Sequence, residues 1–376
     1  MSVLTRPGPA RVWAGFAIAA LVLFGLAPAV LSDFRLNLLA KFLCFAIVAV
    51  GIGLAWGRGG MLTLGQGVFF GLGAYMMAMH LKIADAELRG DTVPDFMQIA
   101  GIRELPAYWV PFTSPLVTLL AIAVVPAMLA LLLGLGVFKR RVKGAYFAIL
   151  SQALAAAFAI PLIGQQSTGG SNGLNRFRTF FGYDLSDPVN KRMLFFIVAA
   201  ILLLVVAATR QLMYSRYGEL LVAVRDQEER VRFLGYDPAN VKVVAYTVAA
   251  FFAGIAGAMF VPIVGIISPA DIGIVPSIAF LIGVAIGGRT TLLGPVLGAI
   301  GVAWAQTTLS ENFPSAWTYS QGLLFIVVVG FFPAGIAGLA ALRRRTRTRG
   351  GADTGTEKPE ADPEPTAENT EMEPAR

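Results

Sequence analysis

Long apolar runs are the feature that most limits how this chain can fold. Windows of about 20 apolar residues, the length that a helix needs to cross the hydrocarbon core of a bilayer, follow one another along most of the 376 residues. Hydrophobic residues make up 56% of the chain and charged residues 14%, so a water-soluble fold would have too little polar surface to cover its core. The sequence therefore predicts an all-α, polytopic membrane protein.

Ten transmembrane spans are predicted, some of them short or interrupted by Gly and Pro. They divide the chain into an N-terminal segment with the first span (1–35), a transmembrane domain (36–342) and a basic, then acidic, tail (343–376) that is expected to be disordered. The basic start resembles a signal peptide, but the first apolar run is long and favours an uncleaved span. The predicted spans cover approximately residues 12–31, 38–56, 61–81, 116–138, 145–163, 193–209, 243–267, 275–287, 292–309 and 319–342.

The positions of Lys and Arg predict how the spans are oriented. Cytoplasmic loops carry an excess of these residues, which places both termini and the charged stretch at 210–242 in the cytoplasm. The loops 82–115 and 164–192 are then external, although four basic residues of the second loop depart from the rule. Basic residues assigned to the cytoplasm include Arg58, Arg289 and the clusters at 139–143 and 343–349.

Few side chains in this chain suit catalysis or metal binding. Cys44 is the only cysteine and His80 the only histidine, which excludes an intramolecular disulfide and disfavours a zinc or haem site. No acid and base, and no nucleophile and base, stand at a recognisable spacing. The G-x-x-x-x-G-K-[ST] motif that cradles ATP phosphates is also missing. An enzymatic role is therefore the least expected, and we expect the chain itself to bind no cofactor, metal or nucleic acid.

A six-residue pattern, Gly-Gly-x-x-Thr-Leu, occurs at 59–64 and again at 287–292, each time at the head of a glycine-rich apolar run. Gly/Pro-interrupted segments at matching places in two halves of a membrane protein indicate a transport site between repeats. In the predicted topology both copies enter from the cytoplasm, so a true repeat would be parallel. Chance similarity in a glycine-rich chain is the alternative.

Uncharged polar side chains within or beside the apolar spans are the candidates for a solute path. Such groups can replace the water around a small neutral solute, but they can equally hold helices together in the membrane. A structural role therefore stays open for each of them. The four candidates are Thr63, Gln66, Gln152 and Gln306.

A densely charged stretch at 210–242 separates two long apolar runs. Read as a helix, it places four apolar residues on one stripe, and Gly235 and Pro238 give it a stop. Such a helix would lie at the membrane surface or dock into a groove of a soluble partner. Its mixed charges argue against simple binding to anionic lipid. The stripe comprises Leu220, Val224, Val231 and Leu234.

Four motifs give the chain a resemblance to a known family. They are LTLGQGVFFGLGAY from 62, TGGSNGL at 168–174, YGELLVAVRDQEERVRFLGYDPANVK from 217 and GGRTTLLGPVLGA from 287. In this order they resemble the membrane permease subunits of branched-chain amino acid ABC importers, over roughly 36–339. The loop motifs at 94–97, 104–106 and 109–112, together with Asn172, are most similar to the urea-transporter branch of that family.

The resemblance implies a subunit in the bacterial inner membrane that forms half of a translocation pathway. It implies a second homologous permease as heterodimer partner, an extracytoplasmic urea-binding protein, and two cytoplasmic ATP-binding subunits that carry ATP and Mg²⁺. The charged stretch then matches the family's coupling helix, which contacts the ATPase; Arg225 and Glu228 are predicted to belong to that contact. The coupling residues carried over are Gly218, Glu219, Arg225, Asp226, Glu228 and Gly235.

The function predicted from this resemblance is ATP-driven import of urea, with short amides also compatible. Two alternatives stay open. A permease for branched-chain amino acids would have to accommodate a zwitterion with an apolar side chain. An ATP-independent urea channel or secondary transporter would leave the charged stretch unexplained.

Overall fold

The computed structural model describes residues 9–142 and 144–312, together with positions 319, 322, 323 and 326. By its contacts the chain divides into two units, Met1–Gly338 and Leu339–Arg376, and everything below concerns the first. Most of the predicted tenth span (319–342) and the whole predicted tail (343–376) lie outside the described residues.

Helices make up most of the described chain, in accord with apolar runs that satisfy their backbone polar groups internally. Turns of π-helix at Leu21–Leu26 and Gly53–Arg58 join α1 to α2 and extend α3. The α-helices of the described ranges are α1 (Pro9–Ala20), α2 (Ala27–Val30), α3 (Asp33–Ile52), α4 (Gln66–Arg89), α5 (Asp95–Ile99), α6 (Pro115–Phe138), α7 (Ala145–Gly164), α8 (Pro188–Met213), α9 (Arg216–Phe233), α10 (Pro238–Val264), α11 (Ile274–Gly287) and α12 (Gly294–Asn312).

Eight helical segments of the described residues are long and apolar enough to cross a membrane, which confirms the prediction of a polytopic all-α protein. They match the first eight predicted spans, and α12 occupies the ninth. The total number of spans stays a prediction. The eight segments are Val12–Val30, Asp33–Arg58, Gln66–Arg89, Pro115–Phe138, Ala145–Gly164, Pro188–Met213, Pro238–Val264 and Pro269–Gly287.

The core of the bundle lies around α4 and α10, whose residues are mostly buried. The two helices approach closely where Gly73 of α4 faces Gly254 of α10, because a side chain at Gly73 would overlap the Gly254 backbone. Small residues at such contacts are typical of helices packed in lipid. Phe45, Phe70 and Phe260 fill the space beside them, with ring centroids 5.1–6.4 Å apart.

The two ends of the bundle differ. One end, called the α9 end here, carries α9 together with the connections 59–65 and 288–293. The other, the loop end, carries the segments 91–113 and 165–187. Short strands stabilise the loop end: β1 (Leu174–Asn175) pairs antiparallel with β4 (Ile266–Ile267), and β2 (Thr179–Phe180) pairs with β3 (Tyr183–Asp184).

Two spans begin at other residues than the approximate limits predicted, whereas the predicted stop of the charged helix at Gly235 agrees with the structure. The third span begins at Gln66 and not at residue 61, because 59–65 is held in a non-helical course by contacts from other helices. The seventh begins at Pro238, where the Asp237 carboxylate accepts the Ala239 N–H at 2.9 Å as a helix cap. Pro238 therefore starts α10, while the stop of α9 falls at Gly235, in a left-handed conformation with φ of 87°.

The predicted apolar stripe of the charged stretch is only partly right. Val224 and Val231 are buried as expected, but Leu221 takes the inward position instead of Leu220, and Leu234 is 71% exposed. Leu234 follows a break inside α9, where Gln227 has non-helical angles (φ −148°, ψ 74°), whereas the inward position of Leu221 is set by the half of the helix before that break. A uniform helical period cannot hold across such a break.

Candidate functional site

The start of α4 is the place where polar groups meet inside the bundle. The Leu64 N–H donates to the Ser151 hydroxyl of α7 at 2.9 Å, and the Gly67 N–H donates to the Ser277 hydroxyl of α11 at 3.0 Å. The glycines around Gln66 allow this, since a side chain at Gly67 would overlap Ser277. Two neighbouring helices thus hold the segment 64–67 in place.

Helix α11 also begins at this level and not at the end of the bundle. Its residue Ser277 contacts Gly67, and Ile272 just before it lies against Gly71. At 14 residues the α-helix itself is about 21 Å long, and only together with the 3-10 turn Pro269–Asp271 before it does the segment Pro269–Gly287 reach the length of a span. The N-termini of α4 and α11, which carry partial positive charge, therefore meet within the bundle. Discontinuous helices of this kind surround the binding sites of many transporters.

Gln66 and Thr63 present polar atoms that the protein itself does not satisfy. Gln66 is 1% exposed and Thr63 is fully buried. Both side-chain heteroatoms of Gln66 and the hydroxyl of Thr63 lack a hydrogen-bond partner among the described residues. Tyr246 lies close enough to Thr63 to interact but outside hydrogen-bonding geometry. Buried polar groups are nearly always paired, and each unmade bond costs ~1–3 kcal/mol. These atoms therefore keep unused hydrogen-bonding capacity inside the bundle.

The second Gly-Gly-x-x-Thr-Leu motif has the same local backbone structure as the first, but its threonine hydroxyl makes a hydrogen bond that the first threonine lacks. In both copies the glycine pair ends a helix, and its second member is left-handed, with φ of 69° at Gly60 and 102° at Gly288. In the second copy the Thr291 hydroxyl accepts the Gly294 N–H at 3.1 Å and so caps α12. In the first copy the equivalent Thr63 caps nothing. The unused hydroxyl is thus specific to the copy that precedes Gln66.

The remaining two candidate glutamines are not brought together with this pair. Gln152 follows Ser151 on α7 and is only half-buried. Gln306 of α12 lines a different cavity of about 180 Å³, together with Lys41, Asp271 and the rings of Phe45 and Phe280. Sequence reasoning missed Lys41, although a charged residue two turns into an apolar span is a functional signal in its own right.

Cavities lie on both sides of the segment 63–67. Towards the loop end, a mainly apolar cavity of about 500 Å³ is lined by Val68, Gly71, Tyr75 and residues of α6 and α7. Towards the α9 end, a cavity of about 540 Å³ is lined by Met61, Leu62 and residues of α9. Along the chain, Thr63 and Gln66 thus lie between Leu62, which lines the cavity towards the α9 end, and Val68, which lines the other.

The charged stretch forms α9 at the entrance of the second cavity. Ser215 caps its start by accepting the Gly218 N–H at 3.4 Å, and Glu219 follows on the exposed side. Tyr217 donates from its hydroxyl to the Val241 carbonyl at 2.8 Å, and burial raises the pKa of this hydroxyl. These contacts seat the first half of α9 against the start of α10.

Arg225 and Glu228 face the chain's own helices. Arg225 donates from Nη1 to the Gly57 carbonyl at 2.7 Å, and Glu228 pairs with Lys242 of α10 at 2.7 Å. More exposed groups on the same helix are the side chains of Asp226, 57% exposed, and Glu229, 63% exposed. Phe233 at its end is 89% exposed. The charged residues of α9 thus fall into two sets, one that is exposed and one that faces the chain's own helices.

At the loop end, the residues that carry the resemblance to the urea branch are largely structural. Trp109 and Met97 are fully buried, and Asp95 pairs with Lys82 at 3.2 Å. Partial burial opposes ionisation of Asp95, but Lys82, the Phe96 N–H and Arg89 together lower its pKa. Asn172 is exposed and lines a cavity of about 580 Å³ beside the Lys82–Asp95 pair.

Comparison with known proteins gives consistent matches along the chain. The family described as "Branched-chain amino acid transport system / permease component" matches residues 34–332. The chain is 26% identical to the high-affinity branched-chain amino acid transport system permease protein LivM of Escherichia coli K12, over 90% of this chain and 78% of the relative. It is 26% identical to the LivM protein of Salmonella typhimurium LT2, over 84% and 72%. No solved structure gives a significant match.

Proposed function

The chain belongs to the family of permease components of branched-chain amino acid transport systems, and on this basis we propose that it is a membrane-spanning subunit of an ATP-driven importer of urea. The solute would reach it from a binding protein on the outside and leave into the cytoplasm. Short amides, which carry the same carbonyl and amine groups, are compatible with the same site.

The observation that carries the proposal is the unpartnered pair Gln66 and Thr63 at the start of α4. Urea is neutral and has one carbonyl acceptor and two NH₂ donors, so a carboxamide can form two parallel hydrogen bonds with it. The hydroxyl of Thr63 can supply a third. The positive ends of α4 and α11 favour a carbonyl oxygen at this place. Neither Gln66 nor Thr63 has a charged hydrogen-bond partner among the described residues, as expected for a site that takes an uncharged solute.

We place the α9 end in the cytoplasm and the loop end outside, with both termini cytoplasmic. In this orientation α9 faces two ATP-binding subunits, which bind ATP and Mg²⁺. The exposed side chains of Asp226, Glu229 and Phe233 are suited to a groove on such a partner. A second, homologous permease completes the membrane part, and a urea-binding protein docks on the loop end.

Import of branched-chain amino acids is the second candidate. Both relatives are named as branched-chain amino acid permeases, which favours it. So does the cavity that holds Lys41 and Asp271 between phenylalanine rings: Lys41 suits a carboxylate, Asp271 an ammonium group and the rings an apolar side chain. Its volume of about 180 Å³ is comparable to that of one such amino acid.

The deciding experiment is uptake of labelled urea and labelled leucine in cells with this chain deleted and then restored, with and without the ATPase subunits. We expect loss of urea uptake alone, with recovery only when the ATPase is present. Loss of leucine uptake instead would establish the second candidate. Urea flux that persists without the ATPase would point to a channel or secondary transporter and refute the proposal.

A further inference from the structure

A direct connection runs from α9 to the segment that carries Gln66. Arg225 donates to the Gly57 carbonyl at 2.7 Å, and its aliphatic stem lies over Gly60 so closely that any side chain at Gly60 would overlap it. A neutral carbonyl that accepts from a guanidinium makes a strong, charge-assisted hydrogen bond. The first half of α9 therefore holds the end of α3 and the glycine pair that follows it.

The second half of α9 forms an ion pair with α10, the helix that Tyr217 of the first half also contacts. Beyond the break at Gln227, Glu228 pairs with Lys242 of α10 at 2.7 Å. The two pairs share α9 but lie on opposite sides of its one non-helical residue. The break at Gln227 lets the two halves of α9 turn by different angles, while the Tyr217 hydroxyl, which donates to the Val241 carbonyl, keeps the first half seated on the start of α10.

Residues 57–66 are suited to transmit such a movement. They include Gly57, Gly59, Gly60 and Gly65, and glycine lowers the cost of changing backbone angles. The Gly57 backbone also packs directly against the Arg289 carbonyl, and the Arg289 guanidinium lies 4.8 Å from the centre of the Trp56 ring. Gly57 thus contacts both α9 and the second glycine motif. A shift of either displaces the segment that leads to the start of α4.

We propose that residues 57–66 form the gate between the two cavities and that Arg225 is the positioning residue by which α9 operates it. The inference rests on the proposed function, in that α9 must receive the movement of an ATPase. It differs from the sequence prediction for Arg225, because the residue acts within this chain and not in the contact with the ATPase.

The test uses the assembled transporter with its ATPase subunits and binding protein in liposomes. Arg225→Ala is compared with Arg225→Lys, which keeps the charge without the planar donor group, and with Arg216→Ala, which removes an exposed arginine from the same helix. We expect Arg225→Ala to lower solute uptake per ATP hydrolysed about tenfold, as for loss of one charge-assisted hydrogen bond. The uptake per ATP hydrolysed of Arg225→Lys should lie between those of Arg225→Ala and the parent, and that of Arg216→Ala should match the parent.

A second readout follows the gate without any solute. In a Cys44→Ser background, Met61→Cys places a thiol in the α9-end cavity, and inside-out vesicles expose it to an impermeant thiol reagent. We expect a non-hydrolysable ATP analogue to change the labelling rate severalfold with Arg225 present and to have no effect with Arg225→Ala. Co-purification of the ATPase subunits should be the same for both.

The outcomes separate this inference from the proposed function. Loss of ATPase co-purification in Arg225→Ala would return the residue to the ATPase contact and overturn the inference, as would normal coupling in that variant. If the parent transporter carries no urea but its labelling still responds to the ATP analogue through Arg225, the gate stands and the proposed solute is wrong.

Discussion

Replacing Gln66 by methionine should make the protein more stable and the transporter less active. The two side chains have similar volume, so packing is disturbed little. In the parent, both heteroatoms of the amide are buried without partners, which costs ~1–3 kcal/mol for the group. Methionine removes that cost. We expect a gain of about 1–3 kcal/mol in unfolding free energy, measured as an upward shift of the thermal midpoint of the purified complex.

Uptake should change in the opposite direction. If urea makes two neutral hydrogen bonds to Gln66, each worth about 1 kcal/mol, the variant should need about 30-fold more solute for half-maximal uptake. The assay is transport by the complex in liposomes over a range of urea concentrations. Binding of urea to the soluble binding protein should stay unchanged, since that protein is not altered.

Ser277→Ala provides a control of opposite sign. Its hydroxyl accepts the Gly67 N–H at 3.0 Å and donates to the Gly273 carbonyl at 3.1 Å, so its removal leaves a buried N–H unpaired and should lower stability by ~1–3 kcal/mol. A Gln66→Met variant that is destabilised and transports normally would refute the reasoning. Gln66 would then hold helices together, the role that sequence analysis left open.

Three further predictions concern other parts of the chain. If urea is the solute, Lys41→Met should leave urea uptake unchanged. If an amino acid is the solute, the same variant should reduce leucine uptake at least tenfold, measured in the same liposomes. Asp85→Asn should lower the thermal midpoint and reduce the free energy of unfolding by ~1–3 kcal/mol. The reason is that the carboxylate accepts hydrogen bonds from two backbone N–H groups and one hydroxyl of the segment 165–187 at 2.8–3.1 Å. The pKa of Asp95 is lowered in the fold. Its pairing with Lys82 therefore stabilises the loop end fully at pH values above the unfolded pKa of about 3.9. This stabilisation is lost as the pH falls through the lower folded pKa. Protease cleavage of the loop end should therefore increase below about pH 4, and Asp95→Asn should remove most of that pH dependence.

Hydropathy alone predicts the spans well, because the membrane requires long apolar helices wherever the chain crosses it. It fails at Gln66, since the helix start there depends on the hydroxyls of Ser151 and Ser277, which are distant in sequence. It fails again at Gln227, where α9 is broken between Arg225, which donates to the Gly57 carbonyl, and Glu228, which pairs with Lys242, and no local pattern shows the break. Lys41 could have been found from the sequence, because charge inside an apolar span is costly and functional by default.

The two glycine motifs show why local sequence similarity does not fix a common role. Both end a helix and reverse the chain, and both place a threonine three residues before the next helix begins. Thr291 uses its hydroxyl to cap that helix, which stabilises it by about 1 kcal/mol, whereas Thr63 leaves its hydroxyl unpaired beside an unpaired glutamine amide. Of the two copies, only the first thus keeps a threonine hydroxyl without a hydrogen-bond partner among the described residues. Because native proteins break local rules chiefly where function requires it, the unsatisfied copy is the one that we expect to meet the solute.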